Sequence, residues 1–144
     1  MGLDMYLKSY VHLYCEQGKL PITLMLNDRE FTIDKNDVVI KELAYWRKAN
    51  AIHKWFVDNC GGGGDYCQEM YVSEDKLKGL RDLCERVMAN KNLASELLPT
   101  ESGCFFGSLE YDDYYFECIE YTIKVINDII NNPNVSHVYY QASW

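Results

Sequence analysis

The chain has little positive charge, and it contains neither a long apolar run nor a paired-cysteine metal motif. It has 14 Lys and Arg residues and 22 Asp and Glu residues, which gives a formal net charge of −8 over 144 residues. This balance argues against direct binding to a nucleic-acid backbone, which needs clustered cations. No apolar run approaches the roughly 18 residues that span a bilayer, and the first residues lack a secretory-signal pattern. We therefore expect a cytoplasmic protein that binds neither membranes nor nucleic acids directly.

Six cysteines are many for this length, but their spacing is not that of a metal site. There is no Cys-x-x-Cys pair, and Cys60 and Cys67 lie on either side of a glycine run. In a reducing cytoplasm the default is free thiols that pack as small apolar side chains. We expect no metal ion and no cofactor, although the scattered histidines leave a site assembled in three dimensions as an alternative.

Apolar periodicity predicts strands towards both ends of the chain and helices between them. The predicted strands are Met5–Tyr14, Ile22–Leu26, Glu30–Ile33 and Val135–Gln141. The predicted helices run from Val39 to Asp58, from Ser73 to about Asn90 or Asn92, and from Asp112 or Asp113 to about Asn131. Regular βαβ alternation is absent. We therefore expect one α+β domain over residues 1–144, an antiparallel sheet of N-terminal strands and a C-terminal strand packed by about three helices.

The segment from Tyr45 to Phe56 concentrates aromatic and polar side chains within twelve residues. On a helix, its apolar stripe consists of Tyr45, Ala49, Ile52 and Phe56, with His53 at the edge and Arg47, Asn50 and Lys54 on the neighbouring face. A helix of this kind could line a pocket for a planar or anionic ligand. The alternatives are a half-buried histidine with internal partners and an arginine in an ordinary ion pair.

A second segment, from Leu98 to Tyr115, combines small and hydroxyl residues with two phenylalanines. Thr100, Ser102 and Ser108 can donate hydrogen bonds from a loop, and glycine allows a close approach of the backbone to a ligand. The alternative is a packed loop that ends in a helix N-cap.

Several segments together resemble a family of small uncharacterised proteins encoded by bacteriophages and prophages. They are Met1–Leu7, Tyr45–Phe56, Leu98–Tyr111, Tyr139–Gln141 and Trp144. The resemblance covers nearly the whole chain but implies no catalytic residues, because the family has no established activity. It implies a protein of the host-cell cytoplasm and a role in counter-defence, since small phage proteins often sequester a nucleotide signal, occlude a host effector or imitate DNA charge.

Our first hypothesis is a non-enzymatic binding protein with a pocket for a nucleotide-like or other small anionic ligand. Trp46 and Trp55, or neighbouring tyrosines, would stack a base, and hydroxyl residues of the loop would close the site. The predicted ligand-binding residues are Tyr45, Trp46, Arg47, Lys48, Asn50, His53, Trp55, Thr100, Ser102, Ser108 and Tyr111.

Two alternatives belong to other classes of protein. An acidic inhibitor of a host defence or nucleic-acid-binding protein would present clustered carboxylates, and its binding would weaken with salt. Its candidate residues are Glu110, Asp112, Asp113, Glu117 and Glu120. A small hydrolase could use Cys104 with His53, but Cys104 has no basic neighbour in the sequence to lower its pKa. Exposed aromatic side chains would also favour a homo-oligomer.

Overall fold

The computed structural model describes residues 2–12, 21–34 and 36–144. Its strands are β1 (Asp4–His12), β2 (Ile22–Leu26), β3 (Arg29–Ile33), β4 (Val38–Arg47), β5 (Met70–Val72) and β6 (Val138–Ser143). Its helices are α1 (Asn50–Cys60), α2 (Glu74–Ala89), α3 (Ala94–Leu97) and α4 (Asp113–Ile130), with a 3₁₀ turn at Lys91–Leu93 before α3. The predicted α+β class is confirmed.

Four strands form one antiparallel sheet in the order β4-β1-β6-β5. Strand β1 lies between β4 and β6, so that Met5 is opposite Trp46 on one side and Ala142 on the other. The expected sheet of N-terminal strands and a C-terminal strand is therefore present. None of the helices in the described part of the chain is long and apolar enough to cross a membrane.

The two faces of this sheet differ in composition, as the alternation of side chains along a strand requires. One face is buried with the helices and carries Leu3, Met5, Leu7, Trp46 and Tyr140. At its centre the Tyr140 ring stacks on Phe56 of α1, with 4.1 Å between the ring centroids. The other face carries half-buried or exposed tyrosines, namely Tyr6, Tyr10, Tyr45, Tyr71 and Tyr139.

Strands β2 and β3 form a separate hairpin, and Asn27 and Asp28 are its turn. Asn27 and Asp28 have φ angles of 50° and 61°. A two-residue hairpin turn of this kind needs positive φ at both positions, which Asn and Asp tolerate better than other non-glycine residues.

The predicted helix from Val39 to Asp58 is wrong in its first half, because Val38–Arg47 forms strand β4. The β-branched residues at its start favour an extended chain. Leu7 is opposite Ala44 and Lys8 is opposite Glu42, so Leu43 is an extra residue in β4. This bulge breaks the period-two pattern of the strand, which made the sequence look helical.

The other helices begin where the sequence places them. The Ser73 side chain accepts a hydrogen bond from the Lys76 N–H at the start of α2, and Asp112 accepts one from the Tyr115 N–H at the start of α4. The last strand begins at Val138, three residues later than predicted, and β5 and α3 were not predicted. Leu13 and Tyr14, the predicted end of the first strand, lie outside the described residues.

Candidate functional site

Asn50, in the first turn of α1, fastens an irregular segment to the helix. We call residues 98–112 the covering loop. The buried Asn50 amide donates hydrogen bonds from Nδ2 to the carbonyls of Phe106 (3.1 Å) and Ser108 (2.8 Å), and its Oδ1 accepts one from the Glu101 N–H (3.1 Å). One side chain thereby holds both ends of an eight-residue stretch of the covering loop, residues 101–108.

The corner between β4 and α1 brings the same loop close to Lys48. Lys48 has a φ of 56° and donates its backbone N–H to the Leu3 carbonyl at 2.7 Å, which turns the chain from the strand into the helix. Gly107 has a φ of 94°, and a Cβ there would lie 2.9 Å from the Lys48 Cβ. Glycine at position 107 therefore meets both a backbone and a packing requirement.

His53 lies one turn after Asn50 and is buried between two hydrogen-bonding side chains. Its Nδ1 is 2.7 Å from the Tyr140 hydroxyl, and its Nε2 is 2.9 Å from Asp65 Oδ2. Because an ionised carboxylate only accepts hydrogen bonds, we assign the proton to Nε2, and Nδ1 then accepts from Tyr140. Burial lowers the pKa of His53, although Asp65 opposes that change, so the imidazole is neutral at pH 7.

Asp65 reaches His53 because the glycine run folds the chain back onto α1. Gly62 and Gly63 have φ angles of 67° and 79°, and the Gly63 N–H donates to the Val57 carbonyl at 3.1 Å. The Asp65 carboxylate also accepts hydrogen bonds from Trp144 Nε1 (2.6 Å) and the Cys67 N–H (3.2 Å). Three neutral N–H groups therefore surround this carboxylate.

A cavity of about 100 Å³ lies at the first turn of α1, and we call it the helix-start cavity. It is lined mainly by apolar atoms and also by Lys48, Thr100, Ser108 and Tyr114. Ala49 precedes the helix and cannot cap it, and within the described residues no side chain does so. The first N–H groups of an α-helix have no partner within the helix. In α1 they belong to Asn50, Ala51 and Ile52, which line this cavity.

A second cavity, of about 310 Å³, lies on the other side of the covering loop. Its walls include Asp65, Glu101, Phe106 and Trp144, together with Ser102 and Cys104. The lining contains two carboxylates and neither lysine nor arginine. We call it the acidic cleft.

The structure brings together seven of the predicted site residues around the covering loop. Lys48, Asn50, Thr100 and Ser108 line the helix-start cavity, and His53 and Ser102 line the acidic cleft. The Tyr111 hydroxyl accepts a hydrogen bond from the Thr100 N–H at 3.3 Å.

The other four predicted residues lie elsewhere, chiefly because β4 is a strand. Trp46 is buried in the core, where its Nε1 donates to Thr122 Oγ1 at 3.0 Å, so it is not placed to stack a base. Tyr45 lies on the opposite face of the sheet and donates its hydroxyl to Asp4, while Arg47 is exposed at the end of the strand. Trp55 packs edge-on against Phe56 and lines neither cavity.

Sequence reasoning missed the residues that complete the acidic cleft. Asp65, Glu101 and Trp144 meet there from three separate segments, and Tyr140 reaches His53 from β6. The one local signal was the acidic residue that directly follows the glycine run, since such a run allows a sharp return of the chain.

Among the described residues, His53 is not placed as a free base for Cys104. Cys104 and His53 line the same cleft, but both ring nitrogens of His53 already have partners. Burial raises the pKa of the Cys60 and Cys118 thiols, which makes them poorer nucleophiles. Among residues 2–12, 21–34 and 36–144, no three His, Cys, Asp or Glu side chains converge as a metal site.

Comparison of the chain with protein-family models, curated proteins and solved structures finds no match. The resemblance to phage-encoded proteins therefore stays a prediction.

Replacing Asn50 with Ala should lower the free energy of unfolding by about 2–4 kcal/mol, because buried backbone groups of the covering loop lose their partners. Asn59→Ala is the matched control, since Asn59 is exposed and makes one hydrogen bond, to the Trp55 carbonyl. Urea unfolding measures both variants, and hydrogen exchange at the Glu101 amide should accelerate only in Asn50→Ala. Equal losses in the two variants would contradict the role given to Asn50.

His53 should make the protein less stable in mild acid. Its pKa in the folded chain lies below the ordinary value of 6.5, so the unfolded chain takes up the proton at the higher pH. The stabilisation is then complete above about pH 6.5 and decreases as the pH falls below that value. Urea unfolding over a pH series measures this slope.

His53→Gln should flatten that pH dependence below pH 6.5, whereas His137→Gln, at an exposed position, should leave it unchanged. A slope in His53→Gln equal to that of the wild type would show that His53 is not the group responsible.

Proposed function

We propose that the chain is a non-enzymatic binding protein whose ligand site is the helix-start cavity. The observation that carries this proposal is the uncapped start of α1 beside Lys48, at a cavity whose walls are mainly apolar. The N-terminus of a helix carries a partial positive charge and free N–H groups, which together attract an anionic group. Lys48 adds a full positive charge from the adjacent corner.

The size of the cavity limits what it can enclose. About 100 Å³ is well below the roughly 300 Å³ at which pockets for whole small molecules begin. We propose that it holds one small anionic group, a phosphate or a carboxylate. The rest of a nucleotide-like ligand would lie outside, where Tyr111 and Tyr114 are exposed.

The charges at the rim favour a ligand with few negative charges. Glu110 and Asp112 also line the helix-start cavity. The Oδ1 atom of Asp112 already accepts a hydrogen bond from the Tyr115 N–H at 3.0 Å. Both carboxylates nevertheless repel anions. A nucleoside monophosphate, a cyclic dinucleotide or a small carboxylate therefore suits the site better than a triphosphate.

The resemblance to phage-encoded proteins supplies the biological side of this proposal. A phage protein that holds a nucleotide-like signal in the host-cell cytoplasm would act in counter-defence by sequestration. This part depends on the resemblance alone and is separate from the binding chemistry of the cavity.

The test is a titration of ¹⁵N-labelled protein with nucleoside monophosphates, cyclic dinucleotides and inorganic phosphate, followed by NMR. Amides of Asn50, Ala51 and Ile52 should shift and saturate, since these residues line the cavity. Lys48→Gln should weaken binding about two- to fivefold by removing one charge.

Lys124→Gln is the control for that charge, because Lys124 is exposed on α4 and pairs with Asp128. Binding that is equally weakened by both variants would point to net charge rather than to the cavity. No saturable shift at millimolar ligand would contradict the proposal.

A second candidate, the acidic inhibitor of a host protein, is favoured by the placement of one group of carboxylates. Asp113, Glu117 and Glu120 are all exposed on α4, at a spacing that puts them on one helix face. Glu110 and Asp112 are exposed directly before that helix. This face would suit a basic surface on a protein partner.

A further inference from the structure

The Asp65 carboxylate is largely buried, with 16% of its side chain exposed. Among the described residues, the ionisable side chain that contacts it is His53, which is neutral at pH 7. In the part of the chain that the structure describes, no lysine or arginine pairs with it. Buried charges in proteins are normally paired, so this carboxylate leaves a negative charge at the wall of the acidic cleft.

Asp65 also has acceptor capacity left. A carboxylate offers about four acceptor positions, and His53, Trp144 and the Cys67 N–H use three of them. From the residues that the structure describes, the Oδ1 atom accepts one hydrogen bond, from the Cys67 N–H at 3.2 Å. A further donor that enters the cleft would find an oxygen with room for it.

Glu101 brings a second carboxylate to the same cleft. Its side chain is 40% exposed, and its nearest cation is Lys54, 3.6 Å away. Lys54 lies closer to Asp58, at 3.0 Å, so its charge is shared between two acids. The acidic cleft therefore carries more negative charge than the neighbouring cation neutralises.

Two aromatic side chains, Phe106 and Trp144, also line the cleft. Trp144 is 48% exposed, and its hydrogen bond to Asp65 fixes the indole beside the carboxylate. The Phe106 ring packs edge-on against it, with 6.1 Å between the ring centroids. Aromatic faces attract cations, tryptophan most strongly.

We propose that the acidic cleft binds a small organic cation, an alkylguanidinium or alkylammonium ion. The cationic head lies between the carboxylates of Asp65 and Glu101, and the alkyl part packs on Trp144. The cleft volume, about 310 Å³, lies at the lower end of the range for small-molecule sites. This site is independent of the helix-start cavity, takes a ligand of opposite charge, and lies across the covering loop from it.

Butylguanidine and butylurea make a matched pair of probes, because they have the same shape and only the first is charged. The readout is the indole N–H signal of each tryptophan in ¹H–¹⁵N NMR spectra. Trp144 lines the cleft, whereas Trp46 is buried against Thr122 and Trp55 lies outside the cleft, so these two serve as internal references. Butylguanidine should shift the Trp144 signal to saturation, and butylurea should not.

Glu101→Gln should weaken the binding of butylguanidine about two- to fivefold, because it removes one partly exposed charge. The backbone N–H of residue 101, which Asn50 holds, is unaffected by this substitution. Glu120→Gln makes the same change of net charge at an exposed position on α4 and should leave the affinity unchanged.

Arginine with its amino and carboxyl groups blocked is a further probe, because it distinguishes an arginine side chain of a partner protein from a free small cation. Tighter binding than butylguanidine would indicate that the cleft receives an arginine side chain of a partner protein, and weaker binding would indicate a free small cation. Three results would overturn the proposal: no saturable Trp144 shift up to about 10 mM butylguanidine, an equal response to butylurea, or an affinity unaffected by Glu101→Gln. None of them bears on anion binding at the helix-start cavity.

Discussion

The structure around α1 depends on one constraint, the need of two buried polar side chains for complete hydrogen bonding. Asn50 and His53 lie one turn apart on a helix that otherwise buries apolar residues. Asn50 satisfies its amide with three backbone groups of the covering loop. His53 satisfies its ring with Tyr140 on β6 and Asp65 after the glycine run. Three separate parts of the chain, the covering loop, β6 and the segment after the glycine run, are thereby fixed relative to one helix.

This constraint also sets the charge of the two cavities. Because Asn50 pulls the covering loop against the start of α1, the uncapped helix end and Lys48 lie at the helix-start cavity. Because His53 holds Asp65, and Asp65 in turn holds the Trp144 indole, a carboxylate and an aromatic wall meet at the acidic cleft. One loop therefore separates the cavity that we propose for an anionic group from the cleft that we propose for an organic cation.

Much of the fold follows from local signals in the sequence. Ser73 and Asp112 cap helices where expected, and Asn27-Asp28 forms the hairpin turn, because these patterns act over a few residues. The extra residue Leu43 in β4 hid the strand alternation, which moved Trp46 from a supposed pocket into the core. The sequence predicts that Lys48 and Asn50 share a ligand site with Thr100 and Ser108, and all four line the helix-start cavity. Asp65 and Trp144 were not predictable, since they meet across 79 positions of sequence.

The most direct test of this constraint is the protonation of His53 at neutral pH, measured by long-range ¹H–¹⁵N correlation of the histidine side chains. A neutral ring with its proton on Nε2 and a hydrogen-bonded Nδ1 is expected, because Asp65 can only accept and Tyr140 then donates. A charged imidazolium, or a neutral ring with its proton on Nδ1, would contradict the hydrogen-bond arrangement that joins α1, β6 and the acidic cleft.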